Sequence, residues 1–131
     1  MLSRRVHPAH GPGGLERHVF DLVTQLSRQG VKVDLFTETP VSESRRIMAE
    51  RSFPAGVRIH WVAARRLPLG TRKGTVVLDR ITNYPFWSKR VALTLNAQLK
   101  CQPGQWAVVH AHGLAGWGIA RARGRVPQEI P

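Results

Sequence analysis

Cysteine is all but missing from this chain. The single Cys101 excludes an internal disulfide and makes the cytosol the expected compartment. No apolar run approaches the ~18 residues of a membrane-spanning helix. Behind the basic start Ser3-Arg4-Arg5 there is no hydrophobic stretch of the kind a secretory leader needs, so none is expected. No Gly-x-Ser-x-Gly surrounds any of Ser3, Ser27, Ser42, Ser44, Ser52 or Ser88, and Cys101 has no histidine near it in sequence. Nucleophilic hydrolysis is therefore disfavoured. Repeats and low-complexity segments are also lacking. What remains is 131 residues, 42% hydrophobic and 21% charged, which suits one globular domain of ordinary size.

Acidic residues are scarce as well. Twenty Lys+Arg face eight Asp+Glu, a formal charge of +12. The excess is concentrated between Arg45 and Arg90, where eleven basic residues face only Glu50 and Asp79, a net +9. Such a stretch attracts phosphates, whether of nucleic acid, anionic lipid or a nucleotide, and composition does not choose among them. Trp61, Tyr84, Phe86 and Trp87 lie near these cations, as stacking platforms for single strands do. However, Trp61 and Trp87 also occupy positions expected of a strand and a helix core. Arg outnumbers Lys sixteen to four throughout, so part of the excess is background, and no zinc-knuckle, RNA-recognition or helix-turn-helix pattern is present.

Hydrophobic periodicity outlines the elements. Leu15, Val19, Leu22, Val23 and Leu26 fall on one helical face, with Glu16 in the first turn and Gly30 as a stop, predicting a helix over 15–29. Residues 31–37 (VKVDLFT) and 57–62 (VRIHWV) read as strands, the second with apolar Val57, Ile59 and Trp61 alternating against Arg58 and His60. Between them lies a loop with a short helix near 44–51, and Arg65–Lys73 is expected to be loop. Pro85 suits a first helical turn, and Trp87, Val91, Leu95 and Leu99 carry that helix to Lys100. A third strand over 106–112 (WAVVHAH) and a glycine-weakened helix over 114–123 complete the order. Alternating strands and helices predict an α/β fold, a Rossmann-like parallel sheet with helices on both faces. Two strands are expected to be missing, one before the glycine loop and one after Val126, so the chain reads as a piece of something larger.

Two constellations could carry chemistry. Gly13-Gly14 precede the first helix, where glycine lets a ligand reach the backbone and first-turn N–H groups favour an anion. The third glycine and downstream acid of the dinucleotide fingerprint are missing, as is the Gly-Lys-Ser/Thr of a P-loop, so spacing alone favours a plain turn and cap. His110 and His112 lie two apart on the third strand and should share a face, His112 at the C-terminal end where open sheets bind ligands. His110 is expected to be buried and structural, and His112 to make a polar ligand contact. A metal is disfavoured, because no carboxylate or cysteine completes a set with His7 or His10.

Read together, "HPAHGPGGLERHVFDLVTQLSRQGVKVDLFT" and "WAVVHAHGLAGWGIARAR" resemble, in order and spacing, the opening and a later segment of family-4 retaining glycosyltransferases of the GT-B fold. The two segments cover about a third of the chain, and residues 38–105 match only in element order. The resemblance implies that residues 1–131 are part of the N-terminal, acceptor-side domain of a two-domain enzyme that transfers a sugar from a nucleotide-sugar donor. No cofactor beyond that donor is implied. Gly13 and Gly14 would line the cleft, His112 would contact the donor sugar near the reacting carbon with His110 beside it, and Glu16 would orient the loop and helix start. Trp106 stands where the family usually has Asp.

The nucleotide-sugar domain, with its basic pair and Glu-x7-Glu, is not among these residues, so the piece is expected to be inactive alone. Many such enzymes work at the inner face of a membrane. On that ground the stretch containing Arg65, Arg66, Arg72 and Lys73 would dock to an anionic surface, making a cytoplasmic protein peripheral there. Two alternatives stay open: a small basic protein binding nucleic acid or anionic membrane, and a regulatory domain that binds a sugar nucleotide without turnover. Specific nucleic-acid binding is disfavoured.

Overall fold

The computed structural model describes residues 1–63 and 74–121. The element order is α1 (Gly14–Arg28), β1 (Val33–Glu38), α2 (Glu43–Ser52), β2 (Val57–Val62), α3 (Val76–Ile81), α4 (Asn83–Cys101), a 3-10 turn (Gly113–Gly116) and α5 (Trp117–Arg121). These fall into two units, Met1 with Ser3–Trp61, and Leu2 with the described residues from Val62 onward.

In the first unit β1 and β2 form a parallel pair with α2 on the connection between them, the α/β arrangement expected. The β2 alternation holds: Val57, Ile59 and Trp61 pack with Val33 and Leu35 of β1, Val19 and Val23 of α1, and Ala49 and Phe53. On the opposite face of the pair, His60 stacks on Phe36 at 4.4 Å, and its Nε2 lies 2.7 Å from Asp34 Oδ1.

The strand expected to be missing before the glycine loop is in part present. Phe36 N–H donates to Met1 O (2.9 Å) and Ser3 N–H donates to Phe36 O (3.0 Å). One residue bonding to two that are two apart is the pattern of a parallel pair. The polar run Ser3-Arg4 concealed it in the sequence, because both side chains are buried with their own partners. Ser3 Oγ donates to Arg5 O, and Arg4 Nε lies 3.1 Å from Glu38 Oε2.

In the second unit α4 presents Trp87, Val91, Leu95 and Leu99 inward, as their spacing predicts, and Cys101 is its exposed last residue. α5 and the turn before it pack on α4 so closely that a Cβ on Gly118 would collide with the Ser88 carbonyl oxygen. Ser88, fully buried, ties the contact by donating to Ala115 O (2.9 Å) and accepting from Gly118 N–H (2.7 Å). Its hydroxyl is thus engaged in structure.

Two expectations are corrected here. Residues 106–112 do not form a strand: a single parallel bridge joins Ala111 to Leu2, and Val108 is 66% exposed. With Leu2 as the one residue paired to it, the stretch has no ladder to extend. The last helix begins as a 3-10 turn and is described only to Arg121. α3 was not foreseen, since a six-residue stretch with its apolar residues bunched at Val76–Leu78 gives no helical period. The predicted Arg65–Lys73 loop lies outside the described residues.

Candidate functional site

The first unit places the glycine loop beside the C-terminal end of β1, the end at which ligands bind in open parallel sheets. The loop is fixed from several sides. His7 N–H donates to Glu16 O (3.1 Å), His7 Nδ1 donates to Gly11 O (3.3 Å), and His10 Nδ1 accepts from Val6 N–H (3.2 Å). Gly11 takes φ +111°, a conformation that favours glycine. Gly13 and Gly14 are exposed, and nothing stands where a side chain on Gly14 would go.

At the start of α1 no side chain caps the first-turn N–H groups. The Glu16 carboxylate instead folds back over Gly13, where a Cβ would collide with it. An anion arriving at this helix start meets first-turn main-chain N–H groups, and also a carboxylate that must swing aside.

Beneath the loop lies a pair the sequence did not disclose. Arg4 and Glu38 are 3% and 1% exposed and bonded to each other, so the strand end contributes no net charge although the chain is strongly basic. Burying two charges is costly unless they meet at close range, as they do here, and the main chain around them is bonded as well, with Thr37 Oγ1 donating to the Arg4 carbonyl oxygen. Burial lowers the His10 pKa from its ordinary 6.5, with a smaller push the same way from Arg5. The Glu38 charge and the main-chain groups of Val6 and Glu38 oppose it. Burial thus favours the neutral imidazole of His10. A buried acid and base far apart in sequence leave no local pattern, and only the position of Glu38 at the end of an apolar strand hinted at this one.

In the second unit the rings of His110 and His112 lie 4.6 Å apart, as two residues on one face should. His112 is half-buried at the start of the 3-10 turn, where its carbonyl accepts from Ala115 N–H. His110 is exposed, not buried as expected: it contributes its carbonyl to Leu2 N–H (2.7 Å), and a one-bridge pairing offers no layer to cover its ring. Among the described residues no group of three or more His, Cys, Asp or Glu side chains could hold a metal.

The basic stretch supplies exposed cations at Arg45, Arg51, Arg58, Arg80, Lys89 and Arg90, while Arg65, Arg66, Arg72 and Lys73 lie outside the described residues. The aromatics near it do not form a stacking platform. Trp61 packs on the first unit's core with Nε1 bonded to Glu50 (2.8 Å), Trp87 is fully buried edge-on to Tyr84, and only Phe86 is largely exposed.

Comparison with known proteins gives the family. The model of Glycosyltransferase Family 4 matches residues 12–131. The chain is 32% identical to a D-inositol 3-phosphate glycosyltransferase of Mycobacteroides abscessus, covering 97% of this chain and 28% of that protein. Proteins of the same name from Actinosynnema mirum and Rhodococcus erythropolis are 28% and 29% identical over the same share of this chain, and 30% and 28% of their own lengths. No solved structure matches significantly. The chain belongs to glycosyltransferase family 4, and its α/β architecture is that of the Rossmann-like domain of the GT-B fold. It spans under a third of the length of these curated relatives.

Proposed function

We propose that these residues form part of the acceptor-side domain of a retaining glycosyltransferase, which moves a sugar from a nucleoside-diphosphate sugar to an acceptor hydroxyl. The observation that carries the reading is the family match running through Gly13-Gly14, glycines that lead without a side-chain cap into α1. In this reading main-chain N–H groups at the helix start meet the donor phosphates, where charge grows as the diphosphate departs. Glu16 sets the loop and yields its place to the phosphates. His112 contacts the donor sugar, and His110 stands beside it. The relatives' names point to a phosphorylated polyol as acceptor class, suiting a basic chain.

Residues 1–131 lack the basic pair and Glu-x7-Glu of the nucleotide-sugar domain, so this stretch alone is inactive in the proposed scheme. The protein is cytoplasmic, and Arg65, Arg66, Arg72 and Lys73 hold it peripherally at an anionic membrane. The family match favours this scheme over a small nucleic-acid-binding protein.

The test is release of nucleoside diphosphate and sugar transfer by the intact protein, with D-inositol 3-phosphate as the first acceptor. His112→Ala is expected to lower kcat by about a hundredfold, the usual scale for one group acting at the developing charge. Turnover unchanged in that variant would refute the role of His112. Absence of transfer from every nucleotide sugar tried would refute the activity.

A further inference from the structure

The loop ahead of α1 is tied by His7 and His10, which make opposite demands on the proton. His7 Nδ1 donates to Gly11 O (3.3 Å), a bond that a neutral or a charged ring can make. His10 Nδ1 accepts from Val6 N–H (3.2 Å), which only a ring without a proton on that nitrogen can do. The His10 N–H in turn donates to Val6 O (3.0 Å), so residues 6–10 form a turn tied at both main-chain groups of Val6. Val6 is fully buried, and its N–H has no access to water.

A proton on Nδ1 breaks this tie. Two donors then face each other, and the nearby Val6 O, 3.4 Å from Nδ1, is already engaged. Turning the ring over does not help, since a charged imidazole donates from both nitrogens. A buried N–H without a partner is costly, so the turn must open or shift. Gly11, at φ +111°, and then Pro12, Gly13 and Gly14 follow the turn directly and carry any shift to the start of α1. Among the described residues, the charged groups around His10 are Arg5 and Glu38, the latter paired with Arg4; His7 and Glu16 belong to the loop and the first turn. Burial, the largest influence on the ring, favours its neutral form.

We propose that His10 is a positioning residue for the glycine loop: unprotonated at Nδ1 it holds the turn that aims Gly13 and Gly14, and protonation releases them and weakens binding of a diphosphate at the helix start. The inference rests on the reading of this loop as the donor-phosphate site, and adds the residue that sets its shape and the pH range in which it works. Weakening falls on the acid side, below the ordinary histidine range.

The experiment is calorimetric titration of inorganic pyrophosphate into the intact protein between about pH 8 and about pH 5.5. Wild type is compared with His10→Asn, whose amide oxygen stands in for Nδ1 as an acceptor and does not titrate. Proton uptake by pyrophosphate itself is common to both, so the ratio of the two affinities is the readout. A ratio near one is expected at the alkaline end. In acid the wild type should bind about threefold to tenfold more weakly than His10→Asn, the scale of one hydrogen bond. His10→Ala, lacking the acceptor, should be weaker by a similar factor at every pH. Parallel profiles for wild type and His10→Asn would overturn the proposal, and so would an alanine variant equal to wild type at the alkaline end.

If no variant binds pyrophosphate, the donor-phosphate reading falls, and NMR of isotope-labelled glycine amides decides the positioning role separately. The amides of Gly11, Gly13 and Gly14 are expected to shift with acid further in wild type than in His10→Asn, and equal shifts would overturn that role. Should His10→Ala fail to fold, the asparagine comparison decides by itself.

Discussion

The two units of this chain reach order by different means. The first has a parallel strand pair with an apolar layer of Val19, Val23, Val33, Leu35, Ala49 and Phe53 packed on it, so that strands and helices share one core. The second hangs on one long helix, with Trp87, Val91, Leu95 and Leu99 on its inner face and short turns pinned to it through Ser88 and Gly118. In the first, many interchangeable aliphatic contacts of about 1.5–3 kcal/mol each carry the packing, and a buried ion pair is among its costly features. In the second, one hydroxyl and one missing side chain decide whether the turns can dock at all. A layered core spreads its risk, and a pinned helix concentrates it.

That contrast can be broken most forcefully at Arg4–Glu38. Glu38→Gln leaves the Arg4 charge buried without its counter-ion, and should cost about 3–5 kcal/mol in denaturant unfolding. Adding Arg4→Met, with Leu at 38, should recover most of the loss. Hydrogen exchange would show the single variant loosening amides of residues 3–61 first. Equal loosening through α4 would mean the units unfold as one, and the contrast would fail.

Gly118→Ala probes the other side. The new methyl meets the Ser88 backbone rather than a side chain that can move away, so a loss of about 1–3 kcal/mol is expected, with exchange rising in α5 and the turn before it. A neutral result would show that the turns dock loosely.

The smallest effect is the dependence on pH. Burial keeps His10 neutral in the folded chain, so the unfolded chain takes up its proton at higher pH. The contribution is fully present above about 6.5 and is lost as pH falls below it. His10→Asn should flatten this part of the stability profile, and a profile unchanged by the substitution would remove His10 from the account.

Much of this was legible because apolar side chains repeat with the period of the element that buries them. α1 and α4 announce themselves at steps of three and four, and β2 by alternation. The stretch over 106–112 misled for the same reason. A run of Val, Ala and His carries strand propensity, but pairing depends on a partner of matching length, and Leu2 supplies one bridge. Met1–Arg4 failed in reverse, the polar side chains of Ser3 and Arg4 hiding an extended backbone whose partners, Phe36 and Glu38 on one side and His110 and His112 on the other, lie far on in the chain. Gly13-Gly14 in the first unit and the His110–His112 pair in the second are local patterns, visible in the sequence as such. The Arg4–Glu38 pair and the Glu16 carboxylate over Gly13 arise from tertiary placement, which no spacing encodes.

The bridge between Leu2 and Ala111 also sets a timetable. The first unit has all its residues once Trp61 has been made, whereas Leu2 must await a partner near the far end of the described chain. At roughly 5–20 residues per second, that wait is on the order of ten seconds of synthesis. Through it the Leu2 N–H and carbonyl wait for His110 O and His112 N–H. The stretch of translation between Trp61 and Ala111 is therefore an interval in which the first unit is fully made while one edge of its opening strand is still open.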